Sequence, residues 1–220
     1  MVVNSQVRLI EYDKKTDLAN CITHAVGAVL AVAGLVAIAV KTYGAGFRDV
    51  FSGIVYSLTL IGVYASSAVY HGLPAGEAKR AARLADHMAI PLLFAGTATA
   101  TSLNALYSVS PVHGITVFCS AWFCAVFGIV SKLFFFEKLK ALTMVVYMAG
   151  GAAMLLSAVP HIGKLDPKAF LLFSLGCILY VLGAVFCALG IKRPPLHVVF
   201  HLFVLAGSMI HYYVIYNFMF

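Results

Sequence analysis

The sequence predicts an all-α, polytopic membrane protein: a bundle of seven transmembrane helices with the N-terminus in the cytoplasm and the C-terminus outside. Three observations carry that reading. The 220-residue chain is 62% hydrophobic and only 10% charged, more apolar surface than a water-soluble domain of this size can hide. Its apolar runs recur at about the 20-residue length that crosses a bilayer core. Its basic residues also fall mostly in alternate connectors, as they do when one membrane face is cytoplasmic.

The elements follow in order. Residues 1–17 read as a short cytoplasmic tail and residues 18–220 as the membrane domain. The first apolar run, 18–40, is longer than a signal-peptide core and carries Asn20 and His24, so it is expected to be a retained helix. Further helices are expected over 50–71, 84–106, 112–131, 139–159, 169–190 and 196–218, joined by connectors too short to hold a folded domain. Pro91 is expected to kink the third helix. Small residues, Gly150-Gly151-Ala152-Ala153 in the fifth helix and Gly176 with Gly183 in the sixth, permit close helix approach. Pro194-Pro195 precedes the seventh helix, where the N–H that proline lacks would be unpaired anyway. The five cysteines all lie in or at the edge of spans, which reads as apolar packing rather than a disulfide framework.

The formal charge of +7 is scattered among short connectors, so no nucleic-acid partner is expected. Its distribution instead sets orientation. Arg8, Lys14, Lys15, Lys79, Arg80, Arg83, Lys132, Lys138, Lys140, Lys192 and Arg193 fall on one side, eleven against Lys41, Arg48, Lys164 and Lys168 on the other.

That topology gathers polar residues into one depth band. Helices 1, 3 and 7 begin, and helix 2 ends, at the expected cytoplasmic face. These termini carry Asn20 and His24, Ser67 and His71, Asp86 and His87, and His197 and His201. Residues i and i+4 leave a helix only about 40° apart, so His197 and His201 share a face, as do Ser67 and His71, and Asn20 and His24. An i, i+4 histidine pair is often mere packing, but ionisable groups inside a membrane are costly and usually functional. Three imidazoles and a water complete a tetrahedral zinc site with one open position. His71, His197 and His201 are accordingly the expected ligands of Zn2+, with Asp86 a carboxylate that deprotonates a water and Ser67 its hydrogen-bond partner. His24 is open to three readings: a fourth ligand, a hydrogen-bonding support, or a packed core histidine. Asn20 and His24 are taken as supporting residues, and His87, about 100° round the helix from Asp86, as interfacial. His113, His161 and His211 lie toward the opposite face; His211 is about 15 Å along helix 7 from His201, too far to share an ion.

At this point the residues resemble a known family. Ser67-Ala68-Val69-Tyr70-His71, then Asp86-His87, then His197-Val198-Val199-Phe200-His201 look like the three motifs of the hemolysin III family, the bacterial branch of the progestin and adipoQ receptors, which include the adiponectin receptors. Asp17 through His24 is similar to that family's first-helix motif, with Asp17 where glutamate is usual. The resemblance implies a seven-helix bundle, N-terminus inside, with zinc on three histidines near the cytoplasmic face and the serine and aspartate beside it. The family is also similar to alkaline ceramidases, which hydrolyse lipid amides.

The expected function is therefore that of a zinc-dependent membrane hydrolase of lipid amide or ester bonds, or a lipid-state sensor derived from one, in the cell membrane with lipids as partners. Two other classes stand beside it. One is a pore-forming, hemolysin-like protein, although no helix carries a charged channel-lining stripe. The other is a non-catalytic regulator of membrane lipid homeostasis with structural zinc.

Overall fold

The computed structural model describes residues 7–220, the side chain of Lys140 excepted. Seven helices are long and apolar enough to cross a membrane: α1 Lys14–Lys41, α2 Phe47–Gly72, α3 Glu77–Val109, α4 Pro111–Leu139, α5 Ala141–Lys164, α6 Pro167–Gly190 and α7 Pro195–Phe218. No strand occurs among the described residues. Large apolar side chains such as Val29, Val40, Phe123, Leu156 and Leu171 point outward, as they do when the surrounding solvent is lipid. The chain is a multi-pass protein of the cell membrane.

Two helices, α1 and α3, begin a full turn or more before the apolar runs suggest. Asp13 caps α1, its Oδ1 accepting from the N–H groups of Lys15 and Thr16 at 3.0 Å and its Oδ2 from the Thr16 hydroxyl at 2.6 Å. That cap satisfies orphan donors of the first turn and brings Asp17 inside the helix. α3 likewise starts at Glu77, so Lys79, Arg80 and Arg83 are helical rather than loop residues. Lys79, Arg83 and Lys132 are buried, where the sequence reading counted them as connector charges. α3 runs on as helix through the buried Pro91 and passes into a π-helical stretch at Ser102–Leu106. α4 and α5 follow each other without an intervening loop, and the helical run is kinked within α4, where Phe135 leaves helical geometry at φ −137°, ψ 37°.

α3 is the most enclosed helix, 67% of its apolar window being buried against 17% in α5 and α6. α1 and α2 pack along each other, α2 packs on α3, and α7 lies against α1 and α6. On α1 the buried positions are Thr16, Asn20, His24, Gly27, Ala31, Gly34 and Ile38, a three-and-four spacing that forms one stripe. On α6 the inward stripe is glycine: a Cβ at Gly176 would meet the His211 ring at 2.3 Å, one at Gly183 would meet Phe203 at 3.1 Å, and one at Gly190 would meet the His197 backbone nitrogen at 3.1 Å. Without a hydrophobic force between helices in lipid, such close approach is what holds them together. It also fixes the height and rotation of α7. In the fifth-helix run, Gly150 accommodates the Phe94 ring, whereas Gly151 faces open space.

Candidate metal centre

Three helix ends build the site. Pro195 opens α7 behind Pro194, whose carbonyl accepts from the His197 N–H at 3.0 Å, so His197 sits in the first turn and His201 one turn further along the same face. His71 lies in the last turn of α2, with α1 packed alongside both. The ring centroids of His71, His197 and His201 are 5.5, 5.0 and 4.9 Å apart pairwise. One donor nitrogen from each lies within 4.8 Å of the others.

The hydrogen bonds decide which nitrogens face inward. His71 Nδ1 donates to Asp17 Oδ1 at 2.8 Å, and the other Asp17 oxygen accepts from Lys79 Nζ at 2.8 Å. His71 Nε2 is buried with no hydrogen-bond partner among the described residues. At His201 the neighbour is the Thr23 hydroxyl, which donates to the carbonyls of Ala19 and Asn20, both at 2.9 Å. Its oxygen is thus left to accept from His201 Nδ1–H at 3.3 Å. Nδ1 of each ring is thus engaged, and His71 presents a bare Nε2, as a metal ligand needs. An orphaned buried acceptor costs about 1–3 kcal/mol, and an ion on the three imidazoles removes that cost. The trio can hold a metal ion.

Around it stand the other expected residues. His24 is buried and stacks on the His201 ring with centroids 3.7 Å apart; neither of its nitrogens makes a hydrogen bond of normal geometry among the described residues. It stands outside the set of converging donors. Asn20 is fully buried, its Nδ2 3.5 Å from His71 Nδ1, a contact at the outer limit of hydrogen bonding. Ser67 is buried one turn before His71, and its side chain interacts with the Asp86 carboxyl. Asp86 is not among the converging donors but lies near Arg83, Tyr70 and Cys187. His87 packs edge-on against Phe136 at 4.9 Å. On the opposite face His113 and His161 come together at 5.0 Å, and His211 Nε2–H donates to Phe173 O at 3.0 Å while its ring stacks on that of Phe173.

Five residues at this end carry contacts to which the sequence assigned no site role. Asp17 shares the α1 stripe with Asn20 and His24, at i, i+3 and i+7, a signal that was present but hidden by placing it in the tail. Thr23 immediately precedes His24. Lys79 and Arg83 were read as orientation charges. Tyr12 had no signal, since it lies in an aperiodic segment. Its ring stacks on His197 at 5.2 Å and tilts toward His71 at 5.5 Å, and burial raises its phenol above the usual range, so it is neutral.

Comparison with known proteins places the chain in a family. A family model described as haemolysin-III related matches residues 12–212. The chain is 33% identical over 196 residues to the hemolysin-3 homolog of Bacillus subtilis (strain 168), covering 88% of this chain and 90% of that protein. It is 32% identical over 200 residues to hemolysin-3 of Bacillus cereus, covering 90% of each. The family model spans residues 12–212 and so includes every residue at the histidine centre, and the chain belongs to the haemolysin-III-related family of membrane proteins.

Proposed function

We propose that the chain is a zinc-dependent membrane hydrolase acting on an amide or ester bond of a lipid, with the metal centre near the cytoplasmic face. The observation that carries this reading is the convergence of His71, His197 and His201 with Nδ1 of two of them held by Asp17 and Thr23. Neutral imidazoles suit zinc, and three protein ligands leave a fourth position open, as catalytic sites do. Bound there, zinc supplies a Lewis acid that polarises a carbonyl and acidifies a water. The chain's own groups do the rest. Asp17 orients the His71 ring. Asp86, with Ser67 as its hydrogen-bond partner, takes the proton of the attacking water and returns it to the leaving amine or alcohol. The apolar helix faces accommodate the acyl chain. The charge distribution of eleven basic residues against four supports an N-terminus inside.

The test has two parts. Purified protein is expected to carry about one zinc per chain by elemental analysis, and the His197→Ala, His201→Ala double variant none; full occupancy in that variant refutes the ligand assignment. Asp86→Asn is expected to retain zinc and fold while losing about 10²–10⁴-fold in turnover of a proven lipid substrate. Turnover at the wild-type rate makes Asp86 structural and leaves a metal-bearing regulator as the better reading.

A further inference from the structure

The metal trio is unevenly covered. His71 and His201 are buried by the helices, whereas His197 is only half-buried. The ring that lies on His197 is Tyr12, stacked at 5.2 Å with 28° between planes and 5.5 Å from His71. Tyr12 belongs to residues 7–13, which carry no helix or strand and cross this end of the bundle. The segment is fastened at both ends. Val7 is 1% exposed in a small cluster with Leu84 and Phe136, flanked by Met88 and Leu133, and the Arg8 N–H donates to Glu137 Oε1 at 3.3 Å. Asp13 caps α1. Between these anchors lies a strap with no repeating backbone hydrogen bonds, the composition of a low-stability element that opens locally.

We infer that Tyr12 is a gating residue that decides what reaches the histidine centre: with the strap seated, its ring closes the aqueous side, so that membrane-dissolved ligands are admitted and water-soluble ones are excluded. The inference deepens the lipid-hydrolase reading, and rests on it only for the identity of the ion. A ring is required at this position because its face lies against the His197 ring; the phenolic hydroxyl is not. Release of Val7 from Leu84 and Phe136 frees the strap without touching any group at the centre.

Two measurements test it. In zinc-loaded protein in detergent, loss of metal to EDTA, a hydrophilic chelator, is followed against loss to 1,10-phenanthroline, an apolar one. Tyr12→Ala and Val7→Asp are expected to speed loss to EDTA at least tenfold and to change loss to phenanthroline little, while Tyr12→Phe behaves as wild type. The second measurement needs no metal. Cys187 lies within electrostatic range of Tyr12 and Asp86, and with Cys21, Cys119, Cys124 and Cys177 changed to Ser it is the sole thiol. Its labelling by an anionic maleimide is expected to rise at least tenfold in Tyr12→Ala and in Val7→Asp. Wild-type labelling and wild-type EDTA kinetics in both variants overturn the gate. A protein that binds no zinc refutes the hydrolase reading instead, and Cys187 labelling still decides the gate.

Discussion

Asp17 ties the histidine centre to a buried ammonium. One of its oxygens holds His71 Nδ1 and the other holds the buried Lys79 ammonium, both at 2.8 Å. Its two neutral replacements therefore differ in what they leave behind. Asp17→Asn keeps a hydrogen-bonding group against His71 but removes the negative charge, and outer contacts of this kind are worth about 10–100-fold in metal affinity. Both variants break the Lys79 ion pair, and losing one partner of a buried pair costs about 3–5 kcal/mol, more fully in Asp17→Ala, which also leaves the ammonium no side-chain acceptor at this position. Competition titration with a zinc indicator is expected to show the first effect in both variants, and thermal melting in detergent the second chiefly in Asp17→Ala. Asp13, four residues earlier, acts differently. Hydrogen bonds, led by that from the Thr16 hydroxyl, hold its carboxyl below the usual aspartate range. Because the folded value lies below the unfolded one, this cap stabilises at neutral pH and is lost as pH falls through the lowered value.

At the scale of elements, α6 contributes to the centre chiefly by where it puts α7. Gly176, Gly183 and Gly190 recur every seven residues along the face it turns to α7. The tightest backbone contact near the ligands is at Gly190, where a Cβ would stand 3.1 Å from His197 N and 3.3 Å from its Cα. Gly190→Ala is expected to push out the first turn of α7, to destabilise by about 1–3 kcal/mol as overpacking does, and to lower zinc occupancy. Gly62→Ala, on α2 with nothing within 4 Å of the added atom, is the control expected to change neither. This scale also shows what the sequence could disclose. The seven helices were legible because lipid demands long apolar runs, and the three histidines because i, i+4 spacing and alternating helix direction put them at one end. Asp17, Lys79 and Arg83 were not legible in their roles. Apolar periodicity stops before them, so the helices looked shorter than capping and buried ion pairing make them. Tyr12 belongs to no periodic element, and its place against His197 follows from the seat of Val7 between α3 and α4.

For the whole molecule, the first expectation concerns direction. A reporter that is active only outside the cytoplasm is expected to work when fused after Phe220 and to be silent when fused before Met1; the reverse pattern moves the histidine centre to the external face. A second expectation follows from where the three imidazoles come from. More than half of the chain lies between His71 and His197, so an ion bound to both acts as a cross-link that closes a very long loop. Closing such a loop restricts the unfolded chain far more than it restrains the folded one. The ion is then a clasp as well as a reagent. Zinc removal is expected to lower the melting temperature of Asp86→Asn as much as that of wild type, because both keep the clasp. In the His197→Ala, His201→Ala variant, chelator is expected to change nothing further. On the proposed zinc-hydrolase reading, mechanical integrity and chemistry share one point of failure, and zinc starvation is expected to cost the protein its tertiary cohesion together with its turnover.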